Sequence, residues 1–243
     1  MAQARSARLR RKAGAGRELG AVCFDLDGVL MDTMPLHARA WQEALRERGR
    51  SVARREIYAW EGERGLATAR RLLGRGGRRL RPRAVAALLA EKERRFGVLA
   101  RSARVDPRLD ELLERLARSG LALGLVTGTS SGEIRRMLPR RVLAAFRAIV
   151  TGDQVRLGKP HPEPYRVAFR RLRVSAARAL VIENAPYGIR AARRAGAGLI
   201  VALASSLPPR FLREADVTVS SAARLRGLLE RLCLSGPSSH LRM

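Results

Sequence analysis

The chain has 243 residues, 46% of them hydrophobic, with 49 Lys and Arg against 22 Asp and Glu and a formal net charge of +27. That length and apolar content suffice for a buried core, and the two cysteines, Cys23 and Cys233, lack CxxC or framework spacing, which excludes a disulfide scaffold and makes a reducing, cytoplasmic location the expectation. No window approaches the roughly 18 consecutive apolar residues of a membrane span, and the N-terminus lacks the apolar centre of a secretory signal.

Of the basic residues, 46 are Arg and only three are Lys (Lys12, Lys92, Lys159), and they are scattered through every segment. Such a skew reads as Arg-rich composition rather than a built polyanion surface. The few aromatic residues do not interleave with the Arg as a stacking platform requires, so nucleic acid is not the expected partner. The one concentrated basic stretch is MAQARSARLRRKAGAGR. Residues 1–19 read as a disordered basic tail or an upstream start rather than a transit peptide.

Beyond the tail, AVCF (21–24), LALGLV (121–126), AIV (148–150), ALVI (179–182) and GLIVAL (198–203) are apolar runs too short for helices, and they predict buried strands. Between the first two runs, residues 33–105 hold no strand but several amphipathic helical stretches. One is PLHARAWQEALRERG, whose Leu36, Ala40, Trp41, Ala44 and Leu45 form an apolar stripe, and GRGGRR (74–79) marks a loop. Helical patterns follow at 107–118, 131–139, 163–172 and 185–195. Strand alternating with helix predicts an α/β fold with a doubly wound, Rossmann-like parallel sheet. Its core comprises residues 20–32 and 106–232, with a helical subdomain inserted at 33–105 and a C-terminal tail at 233–243.

In such a sheet, chemistry collects beyond the carboxyl ends of the strands. The first polar residues there are Asp25 and Asp27, then Thr127, then Asp153 and Lys159, then Glu183 and Asn184. Three of the chain's seven aspartates, Asp25, Asp27 and Asp32, fall in AVCFDLDGVLMDT. Each signal alone is weak: Asp and Gly favour turns, and Thr127 or Ser131 can simply end a strand or cap a helix. Their conjunction fits phosphoryl transfer through an aspartyl phosphate. Asp25 is the expected nucleophile and Asp27 the acid/base. Lys159, Thr127 and the N–H groups of TGTSS, including Gly128 and Thr129, would hold the nonbridging oxygens. Mg2+ bound by Asp25, Asp27, Glu183 and Asn184 would offset the repulsion between carboxylate and phosphate. Asp32 is read as shaping the passage into the insertion.

These motifs, DLDGV, VTGT, GKPHPEPY and VIENAPYGIRAARRAGA, resemble those of the haloacid dehalogenase superfamily, within it the phosphatases and mutases related to β-phosphoglucomutase. The resemblance runs from about residue 20 to 220 and assigns the same roles to Asp25, Asp27, Thr127 and Lys159. It implies that residues 33–105 are a small α-helical cap closing over the site, with His37, Gly62 and Arg64 facing the substrate. The sequence departs from the family at Asn184, where many relatives carry Asp.

The leading expectation is a Mg2+-dependent phosphatase acting on a small phosphate ester, a phosphorylated metabolite such as a sugar phosphate, with the protein a monomer or weak homodimer. The nearest alternative is a phosphomutase returning the phosphoryl group to its substrate. An Arg-rich nucleic-acid binder is the alternative of another class.

Overall fold

A computed structural model describes residues 19–74 and 80–234. The predicted N-terminal tail, except Leu19, lies outside the described residues, as do positions 75–79 of the GRGGRR loop and all of the C-terminal tail but Cys233 and Leu234.

Six parallel strands, β1 (Ala21–Phe24), β2 (Ala122–Val126), β3 (Ala148–Val150), β4 (Ala179–Glu183), β5 (Leu199–Leu203) and β6 (Val217–Val219), form one sheet in the order β3-β2-β1-β4-β5-β6. The chain winds outward from β1 to β3 and then returns to β4 on β1's other side, so the switch in direction lies between β1 and β4. Five strands coincide with the predicted runs. The sixth is only three residues long and sits at the sheet's edge, too short a pattern to separate from loop.

Helices cover both faces, which is why the strands are apolar throughout rather than alternating. In β1, Val22 and Phe24 join one core cluster with Leu109, Leu112, Leu113 and Leu116 of α5 (Pro107–Arg118). Ala21 and Cys23 join the opposite cluster with Tyr165, Ala168, Phe169 and Leu172 of α8 (Glu163–Leu172). The four leucines of α5 recur at i, i+3, i+4 and i+7, and the Asp106 side chain caps the helix by accepting the Arg108 N–H at 2.9 Å. The helix expected at 131–139 stops earlier, as α6 (Ser131–Met137), because Pro139 disfavours helical backbone at Leu138. A short α7 (Arg140–Ala144) follows. Pro186 opens α9 (Pro186–Arg194) and α10 (Ala222–Leu229) closes the fold.

Between β1 and β2 lie α1 (Met34–Arg46), α2 (Arg54–Ala59), α3 (Gly65–Gly74) and α4 (Pro82–Leu99). They enclose an apolar cluster of their own, including Met34, Trp41, Leu45, Ile57, Leu72 and Leu88. Arg95 on α4 binds Glu43 of α1 and Glu47 just past its end, as well as Glu91. The outgoing and returning connections meet where Met31 bridges Val105 in antiparallel fashion. Asp32 lies beside this seam, exposed on the segment leading into α1. No described helix is long and apolar enough to cross a membrane.

Leu113 is fully buried between α5 and the sheet. Leu113→Ala is expected to cost about 2–5 kcal/mol, read as a lowered midpoint in chemical denaturation with an unchanged slope.

Candidate active site

The register places Phe24 beside both Leu125 and Ile182, so the residues just past the strand ends emerge together at the switch point. The ladder runs one residue further, with the Asp25 N–H donating to the Ile182 carbonyl and the Thr127 N–H to the Val150 carbonyl, each at 3.0 Å. Asp25, Asp27, Thr127, Lys159, Glu183 and Asn184 are thereby gathered at one rim, and all are buried.

Carboxylates removed from water need a counter-charge, and Lys159 supplies it. Its ammonium donates to Asp25 Oδ1 at 2.7 Å, to Glu183 Oε1 at 2.6 Å and to the Val126 carbonyl at 3.0 Å. Tyr165, on the first turn of α8, donates its hydroxyl to the same Glu183 oxygen at 2.6 Å, and the Asn184 N–H donates to the other at 3.1 Å. Burial opposes the charge on Lys159, but Asp25 and Glu183 outweigh it and raise its pKa. Burial pushes the Asp25 carboxyl up to about 8, with Lys159 pulling it down in part and Glu183 and Asp27 adding to the rise.

Asp27 is held differently. Its Oδ1 accepts from Thr33 Oγ1 at 2.5 Å and lies 3.0 Å from His37 Nε2, and its Oδ2 accepts from Thr129 Oγ1 at 2.7 Å. Burial works against ionisation, yet His37, Thr33 and Thr129 prevail and hold this carboxyl well below the usual range. His37 stacks on Phe96 with 3.8 Å between ring centroids. Burial, reinforced by Lys92, lowers the His37 pKa, and Asp27 opposes that shift.

The loop after β2 corrects one expectation. The N–H groups of Thr129, Ser130 and Ser131 do not face an open anion site, because they already donate to Thr127 Oγ1, Glu133 Oε2 and Asp153 Oδ1. The reason is local: Ser130 and Glu133 close a capping box on α6, and Asp153 reaches across from the loop after β3.

Among the described residues, no group of three or more His, Cys, Asp or Glu is arranged to hold a metal ion. The carboxylates of Asp27 and Glu183, both expected ligands, have their oxygens engaged as above. Asp25 Oδ2 and Asn184 Oδ1, by contrast, are buried without hydrogen-bond partners. Orphaned buried acceptors are costly, and this carboxylate and amide oxygen set suits a hard, oxygen-seeking cation. Gly28, at φ +83°, leaves room for the Asn184 amide: a Cβ there would stand 2.1 Å from Nδ2.

The insertion lies directly on this floor. Gly62, at φ +81°, packs so closely over Lys159 that a Cβ would come within 2.5 Å of its Cδ. Arg64 donates to the Arg156 carbonyl at 2.6 Å, and Arg71 donates to Glu63 at 2.7 Å and to the Tyr187 hydroxyl at 3.3 Å. A cavity of about 180 Å³ remains between insertion and sheet, with His37, Gly62, Arg64, Gly128 and Thr129 in its walls. Two of these residues, His37 and Thr129, bond to Asp27. Sequence reasoning singled out neither Thr33 and Tyr165, nor Glu61, Lys92 and Glu133, which also line this space. Burial, then Asp27 and Asp25, drives the Glu61 carboxyl well above the ordinary range.

Comparison with known proteins identifies the family. Residues 19–196 match the haloacid dehalogenase-like hydrolase family. The chain is 31% identical to the protein CbbY of Cereibacter sphaeroides, covering 86% of this chain and 94% of that one. It is 32% identical to a phosphorylated carbohydrates phosphatase of Thermotoga maritima, over 77% and 86% of the two chains. Among solved structures, one assigned as a β-phosphoglucomutase from Bacteroides vulgatus superposes with a TM-score of 0.80 at 30% identity, covering 95% of this chain and 96% of that chain. CbbY of Rhodobacter sphaeroides, solved with phosphate, gives a TM-score of 0.72 at 28% identity, over 85% and 96%. The chain belongs to the haloacid dehalogenase-like hydrolase family, in its branch of phosphatases and β-phosphoglucomutase-like proteins.

The Asp25 environment has a measurable effect on stability. Its carboxyl titrates at about 8 in the folded protein against about 4 when unfolded, so the folded state binds the proton more tightly and stability falls as the pH rises through that window. Asp25→Asn removes the fall. In metal-free protein, the gain in Tm over the unmodified chain should be small near pH ~5 and larger near pH ~8, at about 2–4 °C per kcal/mol. A gain that stays flat with pH contradicts the raised pKa.

Proposed function

We propose that the protein is a Mg2+-dependent phosphatase that hydrolyses a small phosphorylated carbohydrate through a phosphoryl group carried on Asp25. The observation that carries this reading is the asymmetry of the Asp25 carboxylate: Oδ1 is fixed by Lys159, whereas Oδ2 is buried with no partner. A carboxylate held by one oxygen and open at the other is oriented for attack.

In the first half, an Asp25 oxygen forms a bond to phosphorus while the ester P–O bond breaks and the departing alcohol takes a proton from Asp27. In the second, water attacks the phosphorus of the acyl phosphate, Asp27 receives its proton, and inorganic phosphate leaves with Asp25 restored. The anchoring of Asp27 by Thr33, His37 and Thr129 suits it to the second half. The first half requires it to exchange one of these donors for a proton. Lys159 binds a nonbridging oxygen as well as the nucleophile, and Thr127 adds its hydroxyl.

Asp25 and Asn184 would hold the Mg2+. When bound, the ion supplies positive charge that lets an ionised carboxylate meet an anionic phosphate. The helical insertion serves as the cap: Gly62 seals the space over Lys159, and Arg64 and Arg71 tie it to the core, which excludes water from the reacting groups. The phosphorylated-carbohydrate substrate rests on the relatives' activities together with the size and polar lining of the cavity.

Phosphate release from a panel of sugar phosphates tests this. Asp25→Asn should abolish release and any trapped acyl phosphate, and Lys159→Met should lower kcat by about 10²–10³-fold. EDTA should silence the enzyme and Mg2+ restore it. Asn184→Asp adds a charge to the ion site and should lower the half-saturating Mg2+ concentration by ~10-fold; an unchanged or higher value removes Asn184 from the ligand set.

A further inference from the structure

Glu133 stands out among the cavity's walls. It is 95% buried, being 5% exposed, and only one of its oxygens is used: Oε2 accepts from Ser130 Oγ at 2.9 Å, whereas Oε1 has no partner. Its capping duty explains the first oxygen and leaves the second without a role. In the same cavity Lys92 is buried, with Nζ 4.6 Å from the Phe96 ring centroid and 5.8 Å from that of Trp41. Among the described residues it makes no ion pair. Glu93 also lines the cavity, and burial followed by the nearness of Glu133 raises its pKa. In a chain with 49 basic and 22 acidic residues, five carboxylate side chains and two cationic ones line this space. Of these carboxylates, Glu61 lies close to Asp25 and Asp27 and Glu63 is paired with Arg71, whereas Glu133 and Glu93 neighbour one another and Lys92.

We infer that Glu133 and Lys92 form the subsite for the unphosphorylated part of the substrate, and that its chemistry selects an uncharged, hydroxyl-rich group. A carboxylate oxygen needing a donor and an ammonium needing an acceptor together match neighbouring hydroxyls, which offer both. The Trp41 ring beside Lys92 gives an apolar face for the carbon skeleton. A second phosphate brought against Glu133 and Glu93 meets like charge in a space shielded from water, where repulsion is strong. The enzyme therefore takes sugar or polyol monophosphates and rejects their bisphosphates, and a pocket of that kind has no place for the bisphosphate through which a mutase cycle passes. This deepens the phosphatase reading and rests on it.

The test uses full-length Asp25→Asn protein, which binds esters without consuming them, and calorimetry with pairs of probes, each a sugar monophosphate and its bisphosphate, such as fructose 1-phosphate and fructose 1,6-bisphosphate. At least one monophosphate should bind ~10-fold more tightly than its bisphosphate counterpart. Adding Glu133→Gln, which keeps the size and an acceptor but removes the charge, should narrow that ratio at least ~5-fold through tighter bisphosphate binding. Adding Lys92→Met instead should weaken monophosphate binding severalfold. A panel in which no monophosphate outbinds its bisphosphate overturns the inference, as does a ratio that neither substitution moves. Failure of the phosphatase reading is separately visible, because the unmodified protein would then release no phosphate from any ester.

Discussion

The ammonium of Lys159 allows Asp25 and Glu183 to be neighbours. Parallel pairing of β1 with β4 puts these two acids at adjacent strand ends, a placement dictated by backbone register whatever the side chains prefer. Without a buried cation the two charges would be untenable. Lys159 meets both and adds the Val126 carbonyl at the end of β2, so one side chain joins three strand ends. The orientation of Asp25 and the seat for the Gly62 loop follow from that arrangement, and the ammonium offsets part of the rise that burial imposes on the Asp25 pKa.

Asp25 and Asp27 illustrate how environment divides identical side chains. Asp25 shares its cation with Glu183 and keeps one oxygen free. Asp27, two residues on, is surrounded by two hydroxyls and an imidazole, each giving it a hydrogen bond. Burial is equal for the two. The difference lies in the neighbours: Glu183 and Asp27 add like charge beside Asp25, whereas His37, Thr33 and Thr129 hold Asp27 well below the ordinary range.

Much of the sheet was legible because each buried strand is an uninterrupted apolar run ended by a polar residue, so the runs and the chemistry announce one another. Asp25, Thr127 and Glu183 were found by reading strand ends, and Lys159 by noticing how few lysines the chain has. The same scarcity applied to Lys92, which follows no strand end, and only packing shows that it is buried. Glu133 was not singled out at all: its capping bond to Ser130 and its second, unsatisfied oxygen are seen only in three dimensions. The bond from Thr129 to Asp27 spans 102 positions, and no local pattern encodes such a pairing. Arg64 was sought as a substrate contact, and the fold spends one of its donors on the Arg156 carbonyl.

The pairing of Met31 with Val105 brings the two ends of a long excursion to one spot. A loop whose ends are already neighbours costs the sheet nothing in connectivity when it grows, shrinks or is exchanged, since β1 and β2 keep their places whatever is spliced between them. The helical insertion is thus a cassette spliced into a fixed sheet, and its length and sequence can change without displacing the residues gathered at the strand ends.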